Sequence, residues 1–83
     1  MKIINGFLFA NQIYDDTPET SPCIINMDLV NCITVRHHSK KNIDCLHVDF
    51  GDMEMMIDSD GDINDAFITI ADYYTKVDKS WQE

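Results

Sequence analysis

Eighty-three residues carrying a formal net charge of −9 describe one small domain, 1–83, and exclude direct binding to nucleic acid or anionic lipid, whose phosphates would repel it. A chain of this length buries only about 60 to 65% of the surface its unfolded form exposes, so its core is small. Apolar residues make up 45% of the sequence, which places it with globular chains and makes the acid surplus a property of a folded surface.

The charge is segregated. Residues 42–75 hold nine acids (Asp44, Asp49, Asp52, Glu54, Asp58, Asp60, Asp62, Asp65 and Asp72) and no Lys or Arg, while the rest of the chain balances six acids against six bases. A basic protein partner is the natural expectation. Three cysteines, Cys23, Cys32 and Cys45, cannot all pair within one chain and show no framework spacing, so free thiols in a reducing cytoplasm are expected. No stretch approaches the roughly 18 consecutive apolar residues of a membrane span, and the apolar start at residues 1–10 is broken by Asn5 and Gly6, against a secretion signal.

In chain order, residues 2–9 read as a strand, or as a hairpin turning at Asn5-Gly6, a dipeptide suited to a type I′ turn. Residues 15–22 collect Asp15, Asp16, Thr17, Pro18, Ser21 and Pro22 and are expected to form a mobile loop. Ile24 to Met27 and Leu29 to Arg36 read as strands separated by a turn at Asp28, and residues 37–42 as a basic connecting loop. Residues 43–58 give the clearest pattern. Leu46, Val48 and Phe50 alternate with Cys45, His47 and Asp49, and Met53, Met55 and Ile57 with Glu54, Met56 and Asp58, about a type II′ turn at Gly51-Asp52. The pairing sets Val48 against Met55 and Leu46 against Ile57 and makes one face apolar, which fixes the register. Residues 62–79 read as a helix with Asp62 as N-cap and Ile63, Ala66, Phe67, Ile70, Ala71, Tyr74 and Val77 on one face, with Lys76 and Lys79 favourable at its end. The fold class is therefore α+β: a small antiparallel sheet of three to five strands with one C-terminal helix on one face.

Several constellations invite a site. Residues 58–64 look like the middle of a calcium loop, but placing Gly61 at its glycine puts Met56 and Phe67 where oxygen ligands are required, so a strand-to-helix turn with capping acids is the better reading. Cys32, Cys45 and His47 would approach one another if Cys32 paired opposite His47, giving a soft zinc set one ligand short. No serine stands on a strained glycine elbow and no phosphate-binding glycine loop is present, so neither catalysis nor a cofactor is expected. The acids Asp49, Asp52, Glu54, Asp58, Asp60, Asp62 and Asp65 remain as the expected partner-binding set, set against a merely solubilising surface. Val30, Cys32, Thr34, Ile43, Cys45, His47 and Met56 make the outer sheet face too apolar for water. Either the segment with Phe7, Leu8 and Phe9 folds over it, or a second copy does, as a homodimer.

Residues 25–33 (Ile25, Asn26, Met27, Asp28, Leu29, Val30, Asn31, Cys32, Ile33), with the hairpin and helix behind them, resemble short flagellar proteins of the FlbD type over about residues 24–72. Gly51 matches the family's glycine between the last strands, while Asp52 and Glu54 stand where lysines usually follow. The resemblance implies a β-β-β-α order and no site. In size and acidity the chain is also similar to phage-encoded inhibitors of host defence, such as anti-CRISPR proteins, which implies an inhibitor that works by binding.

Overall fold

The computed structural model describes residues 1–77, so the expected end of the helix at Lys79 lies outside the described residues. The strands are β1 (Lys2–Ile4), β2 (Phe7–Ile13), β3 (Thr20–Asn26), β4 (Cys32–His38), β5 (Ile43–Asp49) and β6 (Glu54–Asp58), followed by helix α1 (Ile63–Val77). All pairings are antiparallel, in the path β1-β2-β6-β5-β4 with β3 on the remaining side of β2. The α+β class with a single helix holds, but the sheet has six strands rather than three to five. One local feature adds a strand, and a second lengthens one already expected. Asn5 and Gly6, with φ of 51° and 84°, form a tight turn that separates a three-residue β1 from β2. The residues Thr20, Ser21 and Pro22, read as loop, belong to β3, where Pro22 is tolerated because β3 is an edge strand with no neighbour beyond it.

The central hairpin has the expected register: Val48 pairs with Met55 and Leu46 with Ile57, and Phe50 N–H donates to the Met53 carbonyl at 2.9 Å. Gly51 has φ of 101° and accommodates the turn. β2 meets two strands along one side, β1 at Phe7 to Phe9 and β6 at Gln12 and Ile13, so β1 and β6 lie end to end. The core forms where this sheet receives the helix. Leu8, Ile25, Met27, Leu46, Val48 and Ile57 are buried with Ala66 and Ile70, and Tyr74 closes the far end by donating its hydroxyl to the Met27 carbonyl at 2.9 Å. Phe67 and Ala71, expected on the inward face, lie on its exposed flank instead.

The segment expected to fold over the outer face does not do so. Phe7, Leu8 and Phe9 are part of the sheet itself, with Leu8 in the helix-side core. Ile13 and Cys45 are buried on the opposite face, outside the main cluster, and Asp15 of the loop at residues 14–19 lines the same hollow as Cys45. That loop is tied down at two points: His38 Nε2 meets Asp15 Oδ1 at 2.7 Å, and Lys41 Nζ donates to the Thr17 carbonyl. Val30 precedes β4 and packs on the helix-side core, not on the outer face. His37 and His38, expected in a loop, extend β4.

The hairpin tip yields a test. A Cβ on Gly51 would lie 2.9 Å from Asn31 Nδ2, at a φ that side chains resist. Gly51→Ala should lower stability by about 1–3 kcal/mol in urea unfolding. An unchanged midpoint would show that the tip does not hold the sheet's central pair in register.

Candidate functional site

The seven acids of the expected partner-binding set fall into two groups at opposite ends of β6. Asp49, Asp52 and Glu54 surround the hairpin tip, and Asp58, Asp60, Asp62 and Asp65 follow the strand into the helix. Five residues of strand place the groups about 15 Å apart. The acids therefore do not form one continuous ridge.

Most of them have structural work. Asp49 and Glu54 are directly opposed across β5 and β6, a like-charge pairing that costs energy unless each carboxylate finds another partner. Each does: Asp49 accepts from Gly51 N–H at 2.7 Å, and Glu54 reaches His47 Nε2 at 3.0 Å. Asp58 accepts from Asp60 N–H at 3.4 Å, and Asp60 pairs with the Met1 amine at 2.8 Å. Asp62 is the helix N-cap, accepting from Asn64 N–H at 2.8 Å and Asp65 N–H at 3.1 Å. Asp52 and Asp65 are exposed and engage no side-chain partner among the described residues. They are the carboxylates free to meet a partner without dismantling a turn.

The same geometry describes the calcium-like segment. Its carboxylates face backbone amides and the Met1 amine, and Ser59 Oγ donates to the Gly61 carbonyl at 2.8 Å, so residues 58–64 form a self-satisfied strand-to-helix turn. The zinc set is separated by register: β4 pairs Thr34 with His47 and Arg36 with Cys45, while Cys32 lies opposite Asp49. Among the described residues no group of three or more His, Cys, Asp or Glu side chains is placed to hold a metal ion.

Sequence reasoning missed the histidine pairs. Each of the three histidines meets a carboxylate: His37 Nδ1 with Asp44 at 3.0 Å, His38 with Asp15, and His47 with Glu54. By contrast, no Lys or Arg among the described residues forms an ion pair with a carboxylate. The His37 to Asp44 contact follows from their direct cross-strand pairing, but the 23-residue gap between Asp15 and His38 gives no local signal. No protein family, curated protein or solved structure matches this chain. No helix among the described residues is long and apolar enough to cross a membrane.

Burial pushes the Cys45 thiol up, reinforced by the nearby Asp44 and Asp58, and burial alone raises Cys23. Tyr74 is raised by burial, with a contribution from Tyr73. In all three the folded state holds the proton more tightly than the unfolded chain, which releases it near pH 8.5 for a thiol and about 10 for tyrosine. Their contribution to stability is therefore complete below about pH 8.5 and is lost as pH rises through the folded values. Melting temperature should fall across this alkaline range, and less steeply in Cys45→Ala. A thiol reagent at neutral pH should label the exposed Cys32 first and Cys45 last. Equal labelling rates with an alkaline-insensitive melting temperature would contradict the assigned burial.

Proposed function

We propose that the protein is a non-enzymatic interaction module whose acidic surface binds a basic protein and masks that partner's nucleic-acid-binding surface. One observation carries the reading: nine acids lie between residues 42 and 75 without a single Lys or Arg, on folded elements rather than in a tail. Such a surface accelerates encounter with a basic patch and rejects other acidic surfaces. The two acid groups at the ends of β6 suit a partner with two separated basic patches better than a continuous phosphate-like track. A mobile-element or phage inhibitor of a nucleic-acid-binding protein would have this character.

The test is a binding titration against a lysine- and arginine-rich nucleic-acid-binding domain over a range of salt. Affinity should drop steeply with salt, and Asp52→Asn with Asp65→Asn should weaken it about fivefold without loss of stability. Asp62→Ala, in contrast, should cost about 1 kcal/mol of stability through its lost N-cap. Salt-independent binding, or binding indifferent to the Asp52 and Asp65 changes, would sink the proposal.

A second reading has its own observation. Ile4, Phe7, Phe9 and Ile24 project from one face of β1, β2 and β3, exposed at 50, 42, 40 and 64%. Cross-strand pairing sets Ile4 beside Phe7 and Phe9 beside Ile24, so the four form a contiguous apolar patch. A homodimer through this patch would remove it from water. Sedimentation decides: the reading requires a dimer that Phe7→Lys dissociates, and a monomer at high concentration overturns it.

A further inference from the structure

The sheet ends in two unlike edges. β3 is blunted by Pro22 near its middle, which can neither donate to nor template another strand. β4 forms the opposite edge with seven residues, Cys32 to His38, and contains no proline; its helix-side positions are Ile33, Val35 and, at its end, His37, which is paired with Asp44. Its outward backbone groups therefore offer a run of about 23 Å for an added strand. Beside this edge, a groove opens between the start of β4 and the flank of α1, with Ile33 on one wall and Phe67, Ile70 and Tyr74 on the other. Val35 and Phe67 remain 44 and 38% exposed, although both belong to the side of the sheet that carries the core.

This edge carries the bases Arg36 and Lys40 in a chain whose net charge is −9. Arg36 and Lys40 have no carboxylate partner among the described residues, and the Arg36 Nε–H is given only to Thr34 Oγ1 at 3.3 Å. Acids around this edge are already held, Asp44 by His37 and Asp15 by His38, while Asp58, two strands away in the same cross-strand row, accepts from Asp60 N–H. An unpaired guanidinium on an edge strand is satisfied by an acid directly opposite it on the next strand.

We propose that the β4 edge is a strand-addition site for an extended acidic and apolar segment of a partner protein. The segment pairs antiparallel, the slightly more stable arrangement. Reading along the incoming strand, an acid faces Arg36, an apolar side chain lies beside Val35, a small polar residue faces Thr34, and a second apolar side chain enters the groove beside Ile33. A second copy of this chain does not provide that chemistry. In a two-fold pairing centred on Val35, Arg36 would face Thr34 and His37 would face Ile33, leaving the guanidinium unpaired while joining two chains of charge −9. The site is independent of the acidic surface and uses the opposite charge, so the two proposals fail separately.

The experiment titrates the intact protein with a blocked hexapeptide, Thr-Glu-Val-Thr-Ile-Thr, following amide shifts and hydrogen exchange by NMR. The expected result is new exchange protection confined to the amides of β4, with shifts at Phe67 and Tyr74. Replacing the peptide's Glu by Lys should weaken binding about tenfold, and Arg36→Glu in the protein should reverse that preference. Arg36 is exposed and outside the core, so the variant is expected to fold, and its unperturbed amide spectrum away from β4 checks this. Absence of β4 protection at millimolar peptide overturns the proposal. So does protection that ignores both charge changes, or β4 protection that arises in the free protein as it dimerises.

Discussion

The antiparallel register between β5 and β6 is the constraint on which the rest depends. It places Leu46 beside Ile57 and Val48 beside Met55, and three of these four side chains are fully buried beneath the helix. A slip of one residue would present Cys45, His47 and Met56 to α1 and expose the aliphatic set, so the period-2 pattern admits one register. Once the pair is set, β4 and β2 have only their outer edges to join. The turn leaving β6 then delivers α1 across the face the pair has made apolar.

That same hairpin explains why acidity and foldability coexist. A domain of this size has little stability to spend on repulsion, and Asp49 opposite Glu54 is a repulsive pair. The structure relieves it locally, with Gly51 N–H drawing Asp49 toward the turn and His47 drawing Glu54 along the sheet. The strand-to-helix turn behaves alike: Asp58 and Asp62 each satisfy backbone donors. Many of the acids are thus the residues that make turns and caps, and only a minority are surplus to the fold. A charge count taken from composition overstates the surface free to bind, and the positions of Asp52 and Asp65 are more informative than the total.

What was legible in the sequence was what depends on neighbours in the chain. The Gly51 turn, the hairpin register and the Asp62 cap each rest on residues a few positions apart and are readable, while the Asn5-Gly6 turn is one of two readings that the short flanks leave open. β3 was read short because Thr20, Ser21 and Pro22 favour turns in isolation, and only the pairing with β2 makes them a strand. The supposed approach of Cys32 to His47 needed the register of β4 on β5, which the turn at residues 39–42 shifts so that Thr34 faces His47. The pairs Asp15 with His38 and Met1 with Asp60 join residues 23 and 59 positions apart. Nothing local distinguishes those carboxylates from their free neighbours, so the true division of the acidic surface emerges only in three dimensions.

The cover of the outer face shows how such long-range pairs shape the molecule. Cys45 and Ile13 lie on the side of the sheet away from the helix, where the described residues form no second layer. A loop of turn formers takes that role, held at Asp15 by His38 and at Thr17 by Lys41, so polar anchors at its rim keep a small apolar spot dry. The loop reaches only the β4–β5 end of the sheet. At the other end the same face continues into Ile4, Phe7, Phe9 and Ile24 with nothing described above it. The uncovered half adjoins one β6-end acid, since Asp60 lines the same hollow as Phe9 and Ile24, and it lies at the far side of the sheet from the bases of the β4 edge. A contact made through Asp60 would therefore border the apolar patch at Phe9 and Ile24, whereas one made at the β4 edge would engage the opposite side of the sheet and need not compete with it.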